Sequence, residues 1–130
     1  MAYYIDTSAL TKLVIAEDET DALRTWFAAA DRLPVSCDLA RTELMRAVRR
    51  ASPDRAVAAR LVLDAVTLLQ VTPAIFATAG RLDPPMLRTL DALHLAAALD
   101  LGDDLHGLVT YDDRLADAAM ANGVLVVAPR

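Results

Sequence analysis

Four carboxylates in this chain stand where an acid is costly. Asp6 closes the apolar run of "YYIDTSAL" (residues 3–10), and Asp112 follows the apolar "LVTY". Glu43 and Asp91 fall inside the apolar stripes of two helical periods. A carboxylate taken out of water is destabilising unless a cation or a set of N–H groups meets it. Each acid has a local explanation when taken alone. Asp6 could close an Asx-turn ahead of a helix capped by Ser8, and Asp112 could cap a helix, a role its neighbour Asp113 could share. Glu43 could reach water from the edge of its stripe, and Asp91 could lie in a first helical turn, where the dipole favours it. Taken together they suggest more. If Asp6, Glu43, Asp91 and Asp112 converge, their repulsion raises at least one pKa and destabilises the fold unless a divalent cation is present. Oxygen donors fit Mg²⁺ or Mn²⁺ rather than zinc. His94 has no second His or Cys at ligand spacing, so it reads as a core histidine with its bonds satisfied. A site of this kind serves phosphoryl transfer.

The elements that must position these acids alternate in type. Strands are expected at Ala2–Ile5, Leu33–Ser36, Leu68–Val71, Leu108–Thr110 and Val124–Val127. Helices are expected from a Ser8 cap to about Ile15, over Thr20–Ala30 and Asp38–Ala51, after Ser52-Pro53, from Pro73, over Leu87–Leu101, and over Asp112–Asn122. Ala40, Leu44, Ala47, Val48 and Ala51 mark the buried face around Glu43. Leu87, Leu90, His94, Ala97, Ala98 and Leu101 mark the one around Asp91. Strands that are apolar throughout, alternating with helices, predict a parallel sheet covered on both faces. In such sheets, sites form beyond the carboxyl ends of strands, near the reversal of strand order. Asp6 and Asp112 both follow a strand end.

Composition narrows the function classes. At 130 residues the chain is one domain, 1–130, long enough for a single core. It is 55% hydrophobic, yet no segment reaches the roughly 18 to 20 apolar residues of a membrane span. The opening residues lack a secretory signal pattern and the single Cys37 has no disulfide partner, so a cytoplasmic protein is expected. A net charge of −5 excludes wrapping nucleic acid by charge alone, but not chemistry at a site where cations reverse the local sign. Lys12 is the only lysine. Arg46, Arg49 and Arg50 share one helical face, which reads as solvated or as a phosphate or partner contact. Trp26 and Phe27 read as core or interface, since no basic-aromatic strip surrounds them.

The motifs "YIDTSAL", "SCDLARTEL", "LDALHLAAAL" and "LVTYDDRLADAA" resemble, in order and spacing, those of the PIN domain, and more narrowly the VapC-type toxins of toxin–antitoxin modules. The resemblance covers essentially the whole chain. It implies a three-layer α/β/α domain with a five-stranded parallel sheet, and a Mg²⁺-dependent endoribonuclease (Mn²⁺ could serve) in which Asp6, Glu43, Asp91 and Asp112 are the successive catalytic acids. Asp6 and Asp91 would be direct metal ligands. Glu43 and Asp112 would bind the metal directly or through water, or orient the attacking water. Ser8 and Thr110 would support the acids or a phosphate. The expected partners are an RNA substrate, a cognate VapB-type antitoxin and a second copy of the chain. Two other classes compete: a non-catalytic PIN-like module that binds RNA or antitoxin, and a Mg²⁺-binding phosphoacceptor receiver domain. The receiver would need an acidic pair after the first strand and a lysine after a late one. The chain offers Asp6 alone and Lys12.

Overall fold

Five short apolar runs pair into one parallel sheet, β1 (Ala2–Ile5), β2 (Leu33–Cys37), β3 (Thr67–Leu69), β4 (Leu105–Val109) and β5 (Val126–Val127). The computed structural model describes all 130 residues. Strand order is β3-β2-β1-β4-β5. The chain winds outward from β1 through β2 to β3, then returns to place β4 on the other side of β1. The reversal therefore falls between β1 and β4, where a doubly wound sheet opens a crevice at its carboxyl edge.

Alternation along each strand sends side chains into two cores. Tyr3, Ile5 and Val109 pack on one face with residues of α1 (Thr7–Val14), α2 (Thr20–Ala28), α3 (Leu39–Ala51) and α4 (Ala56–Ala65). Tyr4, Val35, Cys37 and Leu108 pack on the other with α5 (Pro73–Arg81), α6 (Thr89–Leu99) and α7 (Asp113–Ala121). The expected three-layer α/β/α architecture is the one found. No helix is long and apolar enough to cross a membrane.

Several boundaries differ from expectation, each for a local reason. The cap of α1 is Asp6, whose carboxylate accepts from the Ala9 amide, so the helix starts at Thr7 and Ser8 lies inside it. A 3-10 turn, Pro53–Arg55, precedes α4. Helix α6 starts at Thr89 rather than Leu87, because Arg88 is extended (ψ 148°) after the Pro84-Pro85 turn. Its burial is also not a stripe: Leu90 is exposed, whereas every residue from Ala92 to Ala98 is buried. The helix is enclosed by β2, β4, α5 and α7, and its alanines let those neighbours approach. In α3 the buried face narrows to Ala40, Leu44 and Val48, with Ala51 exposed. Edge strand β3 ends at Leu69 rather than Val71, and β5 begins at Val126 rather than Val124, because pairing to β2 and β4 is confined to these residues. Trp26 packs edge-on against Tyr3 and Phe27, in the core margin.

Candidate functional site

The first acid is held by the turn that follows β1. Only 4% of Asp6 is exposed. Its Oδ1 accepts from Ser8 Oγ at 2.7 Å and the Ala9 amide at 3.0 Å, and its Oδ2 accepts from Thr110 Oγ1 at 2.5 Å. Both hydroxyls are themselves fixed from the turn after β4, since Ser8 Oγ accepts from the Tyr111 amide and Thr110 Oγ1 from the Asp112 amide. Asp6 thus ties the ends of the two central strands together across the crevice. Burial pushes its pKa up, against the three bonds that favour the anion. A carboxylate offers about four acceptor directions, so Oδ2 keeps one free.

Glu43 projects from the second turn of α3 and is half-buried. Its Oε1 accepts from Thr7 Oγ1 at 3.1 Å and stands 2.5 Å from His94 Nε2. Its Oε2 takes no protein bond. His94, 2% exposed, places Nδ1 2.8 Å from the Tyr4 hydroxyl and 3.8 Å from Cys37 Sγ. Burial opposes a charged imidazole, but the Cys37 sulfur and the Glu43 carboxylate outweigh it and raise its pKa to about 10. A protonated ring would donate from Nε2 to Glu43 and from Nδ1 to Tyr4 Oη. Because α3 and α6 lie on opposite faces of the sheet, this bond joins the two helical layers over its carboxyl edge.

Asp91 stands in the first turn of α6, half-buried and without a hydrogen bond or ion pair within the protein. Its pKa is raised by burial first and by the Asp112 carboxylate second; His94 and Arg88 work the other way, and Glu43 adds to the repulsion. Asp112 caps α7, its Oδ1 accepting from the Arg114 and Leu115 amides at 2.9 and 3.1 Å. Its Oδ2 takes no protein bond. Asp113 is exposed inside the helix, so Asp112 is the acid that faces the group. Asp91 also forms part of the wall of a cleft of about 770 Å³ between the segment leading into α6 and helix α7, with Arg88 and Arg114 in the same wall.

The four acids therefore gather at the carboxyl edge of β1 and β4, but not into a cage. No three Asp, Glu, His or Cys side chains are close enough to ligate one ion. The donor set still suits a hard dication. Mg²⁺ keeps several waters and takes only one or two carboxylates directly. Asp91, Glu43 Oε2, Asp112 Oδ2 and the last direction on Asp6 are unclaimed oxygens, and no Lys or Arg forms an ion pair with any of the four acids. Lys12 is committed elsewhere, to Glu19 at 2.8 Å and Glu17 at 3.4 Å, so a phosphoacceptor site has no lysine to use. Arg46, Arg49 and Arg50 are exposed on α3. Sequence reasoning did not find Thr7 or the Tyr4–His94–Glu43 connection. The only signal was that Glu43 and His94 are each polar within an apolar period, and their meeting depends on two helices 51 positions apart.

Comparison with known proteins places this site in a family context. The sequence profile described as "PIN domain" matches residues 3–120. The chain is 47% identical over 129 residues to Ribonuclease VapC46 of Mycobacterium tuberculosis, covering 98% of each chain. It is 42% identical over 130 residues to Ribonuclease VapC47 of the same species, covering 97% of this chain and 96% of the relative. Among solved structures, M. tuberculosis VapC20, described as a sarcin-ricin loop cleaving toxin, aligns with a TM-score of 0.77 at 20% identity over 98% of this chain and 99% of its own. A toxin–antitoxin complex from Klebsiella pneumoniae aligns at 0.71 and 21%, over 98% of each chain. At those identities the structural likeness speaks for the fold.

Proposed function

We propose that this chain, which belongs to the PIN-domain family, is a ribonuclease of the VapC type, the toxin of a toxin–antitoxin pair. One observation carries this: relatives named as VapC ribonucleases match it at 42–47% identity along nearly their whole length. The partners that follow are a VapB-type antitoxin and an RNA substrate, with a homodimer as the assembled form and the cytoplasm as the place of action.

Asp6, Glu43, Asp91 and Asp112 are the catalytic acids in this reading, and Mg²⁺ is the cofactor, with Mn²⁺ able to replace it. Asp91 and Asp6 would hold the cation directly, with Glu43 and Asp112 reaching it through water or directly. When bound, the cation supplies positive charge at the scissile phosphate and acidifies a water. The protein's own part is positional. Ser8, Thr110 and the Ala9 amide fix the orientation of Asp6 and favour its anion against the effect of burial. The α7 cap bonds hold Asp112 by one oxygen and leave the other without a protein bond. Crowded like charges at this edge favour a cation and repel RNA without one. That explains how a chain of net charge −5 can act on a polyanion.

Cleavage of a single-stranded RNA with Mg²⁺ or with EDTA, in wild type, Asp6→Asn and Asp91→Asn, tests the reading. Cleavage is expected only in wild type with Mg²⁺. Cleavage that persists in EDTA, or that survives both substitutions, would remove the metal-dependent site. A folded wild type that leaves RNA intact with Mg²⁺ would instead favour the non-catalytic module.

A further inference from the structure

We propose that His94 is a positioning residue for the cleavage reaction, holding the Glu43 carboxylate by one oxygen so that the other is presented to the acidic site. This rests on the nuclease reading above. The geometry is asymmetric. Both protein bonds to Glu43, from Thr7 Oγ1 at 3.1 Å and His94 Nε2 at 2.5 Å, land on Oε1. A glutamate has three freely turning bonds, and unaided it would sample many orientations on an exposed helix edge. Two donors on one oxygen remove that freedom and leave Oε2 as the only unengaged atom.

The imidazole is itself immobilised. It is 2% exposed, its far nitrogen lies 2.8 Å from the Tyr4 hydroxyl, and its ring packs edge-on against Tyr4 with centroids 5.9 Å apart. Tyr4 is fully buried on β1, two residues before Asp6. One central strand therefore sets both the first acid, through its end, and the second, through Tyr4 and His94. The contact also spans the two helical layers, so it fixes the spacing of α3 and α6, and with it the position of Glu43 relative to Asp91. Partners of this kind behind metal-site carboxylates typically change metal affinity or activity by about 10- to 100-fold.

The test compares His94→Gln, whose amide keeps a donor toward Glu43, with His94→Leu, which fills the space without one. Tyr4→Phe releases the far nitrogen only. Three readouts are followed: kcat and KM on an RNA oligonucleotide, the Mg²⁺ concentration that half-stabilises the RNA-free protein in a thermal scan, and the Tm in EDTA. In His94→Leu we expect kcat to fall by about 10- to 100-fold and the half-stabilising Mg²⁺ concentration to rise, with KM unchanged. His94→Gln should recover most of both. Tyr4→Phe should shift both in the same direction by less. If His94→Leu does not fold, His94→Asn replaces it, because its shorter amide cannot reach Glu43. Wild-type kcat and Mg²⁺ requirement in the donor-less variant would overturn the proposal. So would equal losses in Gln and Leu variants that track Tm alone. A wild type that does not cleave would instead fail the nuclease reading. In that case the half-stabilising Mg²⁺ concentration still tests His94, and an equal value in His94→Leu and wild type would overturn its role.

Discussion

At Asp112 the helix cap uses one carboxylate oxygen, and the proposed catalytic role falls to the other. Oδ1 caps α7 through two amides, while Oδ2 takes no protein bond, and the carboxylate is close enough to Asp91 to raise its pKa. Asp112→Asn keeps an amide oxygen for the cap and removes the charge. It should leave Tm within a few degrees of wild type while abolishing RNA cleavage. Asp112→Ala should in addition destabilise the fold by about 1 kcal/mol, the usual cost of a lost N-cap, measured by urea unfolding. His94 carries the pH dependence. Its pKa is raised to about 10 from an ordinary value near 6.5, so folding binds its proton more tightly. The stability it contributes is complete below about pH 6.5 and is lost as pH climbs toward about 10. Tm should therefore fall between pH 7 and pH 10 more steeply in wild type than in His94→Gln. Parallel Tm–pH curves would show that the imidazole is neutral in the fold.

At the scale of elements, close approach is what the sequence encodes least visibly. Alanines in α6 read as one stripe of an amphipathic helix, yet the helix is enclosed from Ala92 to Ala98. Periodicity reports a boundary between apolar and polar neighbours, and a helix covered on all sides has none. Gly107 in β4 is a similar case. A Cβ there would stand 3.1 Å from the Tyr3 ring and 3.2 Å from the Leu125 carbonyl oxygen. The ring could yield, but the backbone oxygen belongs to the segment leading into β5. Gly107→Ala should lower the unfolding free energy by about 1 to 3 kcal/mol, the range for overpacking a tight site, and a variant as stable as wild type in urea would show that β5 shifts freely. Strand and helix order was legible throughout, because apolar runs and 3.6-residue periods survive without tertiary context. Ends were less so. Asp6 rather than Ser8 caps α1 because the chain turns two residues earlier, at the end of the β1 ladder.

For the whole molecule, the proposed cation site at one sheet edge is expected to link folding to cation concentration. The Asp91 carboxyl titrates above its ordinary range through burial and the nearby Asp112 and Glu43 carboxylates. Folding therefore binds its proton more tightly, and its contribution to stability declines as pH rises through that raised pKa. Without metal, Asp91→Asn should melt higher than wild type at pH 7, and the difference should vanish in acid. Millimolar Mg²⁺ should raise the Tm of wild type, since a ligand of the folded state stabilises it by mass action, and should leave Asp91→Asn nearly unmoved. Identical wild-type curves with and without Mg²⁺ would count against a shared cation.

Residue order and spacing were sufficient for the architecture and for naming four acids, because both are written locally: in apolar periods, and in polar residues interrupting them. Which oxygen of each acid stays open was decided by folding alone. Thr110 reaches Asp6 across 104 positions and His94 reaches Glu43 across 51, contacts made only when β4 lies beside β1 and two helical layers close over one sheet edge. Distances of that kind follow from topology and packing, which no local pattern contains.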